Sequence, residues 1–115
     1  MKNKEIQKRC YDFVIGVIKM TKKLNKNTTS DILIKQILRS STSIGANIVE
    51  AQAGSSKKDF INFIHHSLKS ANETKFWLEI IKDTENTDSD EINFLIKECS
   101  ELANILGASL VTLKK

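Results

Sequence analysis

Not one proline interrupts this chain of 115 residues, and its four glycines stand singly. Long periodic runs are left unbroken, and apolar residues recur within them in alternating steps of four and three. Ile6, Cys10, Phe13, Val17, Met20 and Leu24 do so near the start, with Val14 and Ile18 widening the line. Ile92, Ile96, Cys99, Ala103, Leu106, Leu110 and Leu113 do so near the end. That spacing is a heptad seam, the period of helices packed lengthwise, not of strands. Breaks at NKNTT, at Gly54 and at TENTD divide the chain into four helices, expected over 3–24, 31–53, 56–82 and 89–113. Ser30 is the expected N-cap of the second helix, Gly54 its C′ residue, Ser55 or Ser56 the cap of the third and Asp88 of the fourth. Connections this short make consecutive helices antiparallel neighbours. The expected fold is all-α, an antiparallel up-down-up-down four-helix bundle forming one domain over 1–115.

The second helix sorts into two opposed faces when plotted at about 100° per residue. Ile37, Leu38, Ser41, Ile44, Gly45 and Ile48 form an apolar face whose small middle lets another helix approach. Gln36, Arg39, Ser43, Asn47 and Glu50 form a line of hydrogen-bonding side chains on the other side. A bundle core has no use for that line, so it is either a solvated face or a surface another chain uses. In the third helix Phe60, Ile61, Ile64, Leu68, Ala71 and Leu78 form the expected core stripe. Phe76, Trp77 and Ile80 point away from it. A large apolar cluster off the core stripe marks a subunit interface more often than an idle surface.

Charge is divided along the chain. Residues 1–26 carry eight Lys and Arg against two acids, a balance of +6, and residues 83–101 carry seven acids against Lys97, a balance of −6. The bundle order brings the first and third loops to one end, so Lys19 to Lys26 should partly neutralise the acids at 83–91. Several classes of chemistry lack their residues. Asn62 and Phe63 stand three before His65 and His66, where a di-iron bundle would need acids. Adjacent histidines also lie about 100° apart on a helix and cannot face one metal. His66, Ser70 and Glu73 share a face, but His66 and Glu73 are roughly 10 Å apart by helix rise, too far for a catalytic triad. No Gly-rich phosphate loop occurs. Cys10 and Cys99 occupy core positions and read as packed, inert thiols. No apolar run reaches the ~20 residues of a membrane span, and no signal-peptide pattern occurs, so a cytoplasmic location without membrane contact is expected.

Gln36, Arg39, Ser40, Ser43, Ile44, Asn47, Ile48, Val49, Glu50 and Ala51 carry a more specific signal. In register they resemble the second helix of the 23S ribosomal RNA intervening-sequence proteins, a four-helix-bundle family. Phe60, Phe63, Ile64, Ser70 and Glu73 resemble that family's third helix. Lys69 and Ala51 stand where the family has glycine, and the proline before its second helix is absent. The resemblance implies an up-down bundle that assembles as a homopentamer. It also implies a link to the accessory protein of diversity-generating retroelements, which is similar in fold and binds nucleic acid and a reverse transcriptase.

The expectation is a non-enzymatic, oligomeric bundle without cofactor or metal, acting as a nucleic-acid or ribonucleoprotein accessory factor. Its oligomer or motif face would comprise Gln36, Arg39, Ser43, Asn47, Glu50, Ser70, Glu73, Phe76 and Trp77. Phosphate contacts would come from Lys4, Lys8, Arg9, Lys19, Lys22 and Lys23, with the outer patch running from Lys2 to Arg9. Tyr11 is the only aromatic among them, which gives no basis for single-strand specificity. The alternative is a structural or protein-interaction scaffold that binds no nucleic acid.

Overall fold

The computed structural model describes residues 3–115, and Lys2 lies outside the described residues. Four helices account for nearly all of it: α1 (Asn3–Lys22), α2 (Thr28–Gln52), α3 (Lys57–Thr84) and α4 (Ser89–Leu113). Neighbours in sequence touch, α1 closes against α4, and the backbones of the two diagonal pairs stay more than 8 Å apart. Residue pairings run in opposite senses across two of the seams. Arg9 and Gly16 of α1, and Lys23 just past its end, meet Glu98, Leu95 and Glu91 of α4. Ser40 and Ile44 of α2 meet Thr74 and Ser67 of α3. An up-down-up-down course accounts for both. The bundle measures 44 × 23 × 20 Å.

Every residue of the first heptad seam, Ile6 to Leu24, is buried. The α2 face is buried along Ile37, Ser41, Ile44 and Ile48, with Leu38 and Gly45 at its edge. In α3 the buried line runs Ile64, Ser67, Ala71, Thr74, Leu78 and Ile81. Phe60, Ile61 and Leu68 are therefore edge residues, and two hydroxyl residues hold core positions. They sit there because α2 supplies partners. The Ser67 hydroxyl donates to the Ile44 carbonyl at 2.7 Å, and the Thr74 hydroxyl lies 2.9 Å from Ser40 Oγ and 2.7 Å from the Ser70 carbonyl. A buried polar group so satisfied loses little by leaving water. In α4, Leu95 and Leu102 are buried together with Ile92, Cys99, Leu106 and Leu110. Ile96 and Ala103 are half-buried beside them.

Capping explains where α2 begins. It starts three residues before the expected position because Asn27, not Ser30, is the N-cap. The Ser30 amide donates to Asn27 Oδ1 at 2.9 Å and the Asn27 amide donates to Ser30 Oγ at 2.9 Å. This is a reciprocal capping box in which serine does the work usually done by glutamate. The Ser30 hydroxyl also reaches the Asn25 carbonyl at 2.6 Å, so the residue is buried rather than left at a helix mouth. Ser56 caps α3 and Asp88 caps α4, each accepting from the amide three residues on. At the end of α2 no glycine has positive φ. Gly54 is suited to its place by crowding, since a Cβ there would come within 3.2 Å of the Ala51 carbonyl. The close approach expected at Gly45 falls at Gly16 instead. A Cβ on Gly45 would only touch Cys10 at 3.8 Å, whereas one on Gly16 would meet Leu95 at 3.1 Å.

Candidate functional site

Four residues of the α2 polar line and of α3 join into one chain across the seam between these helices. The Arg39 guanidinium donates to Gln36 Oε1 at 2.9 and 3.3 Å and to the Glu73 carboxylate. Glu73 also accepts from Trp77 Nε1 at 2.9 Å. The Trp77 and then the Arg39 hydrogen bonds hold the Glu73 carboxyl below its ordinary range. Side-chain exposure of 56% for Arg39 and 36% for Glu73 keeps the pair near water, where such a bridge contributes ~0–1 kcal/mol. Its effect is to orient Trp77, whose ring stands edge-on to Phe76 with centroids 5.1 Å apart. Trp77 and Ile80 are half-buried against the core rather than pointing away from it. Phe76 remains 57% exposed.

The rest of the line does not join this chain. The Asn47 side chain turns back on its own helix and donates to the Ser43 carbonyl at 2.8 Å. Ser70 enters through its backbone carbonyl, which accepts from Thr74. Glu50 is exposed, and its side chain makes no hydrogen bond among the described residues. Glu73 is held by Trp77 and Arg39, not by His66, which is exposed.

The basic residues of α1 and the turn after it divide into two sets. Arg9 turns to α4, where Nε and Nη2 fork onto the Glu98 carboxylate at 2.8 Å each and Nη2 also reaches Glu101. Hydrogen bonding from Arg9 lowers the Glu98 carboxyl despite its burial and raises the guanidinium. Lys23 pairs with Glu91 at 3.0 Å, which brings the first and third loops to one end as the charge pattern requires. The other set points outward. On an ideal helix Lys4, Lys8, Lys19 and Lys22 fall within an arc of about 60° and span about 27 Å. All four are exposed, and Tyr11, 67% exposed, lies between the two pairs. Lys8 also meets Asp12 at 3.1 Å. Among the described residues Lys4, Lys19 and Lys22 make no ion pair.

Sequence reasoning did not find two grooves that flank α1. One, of about 210 Å3, runs between α1 and α2 and is lined by Gln7, Tyr11, Val14, Thr42, Gly45, Ala46 and Val49. The other, of about 420 Å3, runs between α1 and α4 over Phe13, Gly16, Phe94 and Leu95, with Asp12, Asp90, Glu91 and Glu98 along it. No sequence signal announced the first, because Tyr11 and the Gly45–Ala46 pair stand far apart in the chain. Elsewhere the chemistry is plain. Cys10 and Cys99 are fully buried, and burial pushes both thiols up to about 12. Among the described residues no group of three His, Cys, Asp or Glu is placed to hold a metal, and no helix is long and apolar enough to cross a membrane.

Fold and site together define a small helical bundle with a polar α2–α3 motif face and a basic first helix. Residues 2–108 match the family described as 23S rRNA-intervening sequence protein, and the chain belongs to that family. Among solved structures it is similar to a protein of unknown function from the S23 ribosomal protein family of Bacteroides thetaiotaomicron VPI-5482. That similarity is 34% in sequence with a TM-score of 0.85, and it covers 100% of both chains. Comparison with curated proteins gave no match.

Proposed function

We propose that this chain is a non-enzymatic, oligomeric accessory protein that contacts nucleic acid within a ribonucleoprotein. The observation that carries the proposal is the lysine stripe of α1: Lys4, Lys8, Lys19 and Lys22 share one outward arc directly opposite the buried seam of the same helix. Lysines so arranged track a phosphate backbone without reading sequence. Membership in a family described by 23S rRNA intervening sequences accords with RNA as the polymer. Arg9 and Lys23, held by α4 carboxylates, are removed from the contact set.

Assembly would use the opposite side of the bundle. α3 lies diagonal to α1 and presents Phe76, fixed edge-on by Trp77 and the Glu73–Arg39 bridge. A rigid exposed aromatic is the kind of anchor that dominates interfaces. A homopentamer, the assembly the family resemblance implies, would carry +20 from five chains of +4, and multivalency would raise weak single-chain affinity. A reverse transcriptase is a candidate protein partner on the same resemblance.

The test is electrophoretic retention of structured RNA over a salt series. Lys4→Gln with Lys8→Gln should lower both affinity and salt slope, while Arg9→Gln should leave the slope unchanged. If the unaltered protein retains no RNA or DNA at ~50 mM salt, where phosphate contacts are favoured, a protein-interaction scaffold replaces this function. Light scattering should give a mass above one chain, and Phe76→Glu should reduce it.

A further inference from the structure

The basic stripe is not uniformly polar. Tyr11 lies between its two lysine pairs, exposed, and its ring forms one wall of the groove that separates α1 from α2. Gly45 and Ala46, which carry almost no side chain, line the groove together with the apolar Val14 and Val49. Gln7 and Thr42 put polar side chains at its edge. Lys4 and Lys8 border the adjoining depression, which shares Gln7, Tyr11 and Val49 with the groove. Its volume of about 210 Å3 is ample for one planar ring, since a cavity of ~150 Å3 accepts benzene.

We propose that the Tyr11 groove is a nucleobase-stacking slot that selects single-stranded over double-stranded nucleic acid. The proposal rests on the nucleic-acid function argued above and adds the ligand class. A base unstacked from its neighbours lies flat against the Tyr11 ring over Gly45 and Ala46, while Lys4 and Lys8 hold the phosphates on the N-terminal side of that ring. Duplex cannot enter, because its bases are already paired and stacked. The second groove flanking α1 is unsuited to this ligand: Asp12, Asp90, Glu91 and Glu98 line it and repel phosphate. Among the described residues the Gln7 side chain makes no hydrogen bond, which leaves its amide available at the groove. The Thr42 hydroxyl spends its proton on the Leu38 carbonyl at 2.7 Å, which leaves its oxygen lone pairs toward solvent.

The experiment measures fluorescence anisotropy with a short labelled single strand, as RNA and as DNA, and a duplex of equal phosphate number. The unaltered protein should bind the single strands more tightly than the duplex. Tyr11→Ala should weaken single-strand binding about tenfold, the loss expected for one stacked base, and leave duplex affinity and salt slope unchanged. Tyr11→Phe should retain the preference, and Ala46→Leu, which fills the slot from an exposed position, should abolish it. Equal effects of Tyr11→Ala on single strand and duplex, or no effect on either, would overturn the slot while leaving the salt-dependent lysine contacts standing. No binding of any polymer would overturn both. A fall in oligomer mass on Tyr11→Ala would assign the groove to a second copy of the chain and overturn the slot. Far-ultraviolet circular dichroism of each variant establishes that the helices persist, and Tyr11→Ser with Ala46→Met repeats the comparison should either first choice unfold.

Discussion

Replacing Arg9 with methionine keeps the aliphatic stem and removes the fork that holds α1 to α4. Two charge-assisted hydrogen bonds of 2.8 Å to Glu98 are lost, together with the contact to Glu101. A hydrogen bond to a charged group contributes ~1.5–3 kcal/mol, but the Arg9 side chain is 39% exposed and the Glu98 side chain 15%, so solvent screens part of it. A total of ~2 kcal/mol is expected, or a fall of about 8 °C in melting temperature for a domain of this size. The pH dependence isolates the cause. Arg9 holds the folded-state Glu98 carboxyl below its ordinary value of 4.5, so the bridge stabilises the fold above that value. The contribution is lost as pH falls through the lowered folded-state value. Urea unfolding at fixed protein concentration should therefore separate the two proteins by ~2 kcal/mol at neutral pH, and the gap should narrow on acidification below pH 4.5. Equal stability at neutral pH, or a gap that acid leaves untouched, would refute the assignment.

Three further outcomes are expected. Thr74→Val preserves shape but deprives Ser40 of its 2.9 Å partner, leaving only a 3.4 Å contact to Ile37; urea midpoints should show a loss of ~1–2 kcal/mol. Gly107→Ala should raise stability by ~0.5–1 kcal/mol, because an added Cβ there meets nothing within 4 Å. With both thiols buried and raised to about 12, thiolate is scarce at pH 8, so Cys10 and Cys99 should resist iodoacetamide in the native protein and react once urea unfolds it.

Helix number, type and order were legible because period is an apolar property, and every apolar residue expected in the seam of α1 is buried, although the helix ends at Lys22 rather than at 24 and Thr21 joins the buried set. The errors arose where polarity and burial part company. Ser67 and Thr74 hold core positions in α3, yet a search for apolar spacing passes over hydroxyls and drifts to Leu68 and Phe60 at the edge. In α4, Leu95, Ile96, Leu102 and Ala103 offer two parallel lines one residue apart, and only the packing of α4 on its neighbours selects Leu95 and Leu102. Ser30 looked like a cap because caps and N3 residues draw on the same small polar types. The Arg39–Glu73–Trp77 chain was foreshadowed by the stripe on α2 and the aromatics on α3. The capture of Arg9 by Glu98 was not, because 89 residues separate them in sequence.

The hydroxyl seam between α2 and α3 also limits how this chain can change length. One residue added or removed within α2 between Ser40 and Ile44, or within α3 between Ser67 and Thr74, rotates everything beyond it by about 100°. Ser67 would lose the Ile44 carbonyl, or Thr74 would lose Ser40, and an unsatisfied hydroxyl would be driven into the interior at ~1–3 kcal/mol. An apolar seam suffers the same rotation, but it leaves no unpaired donor or acceptor behind. A seam of matched donors and acceptors adds that cost to the lost packing. Insertions and deletions should therefore be absorbed at residues 23–27, at 53–56, at 85–88 and at the ends of the chain, while the interval from Ser40 to Thr74, apart from its turn, keeps a fixed count.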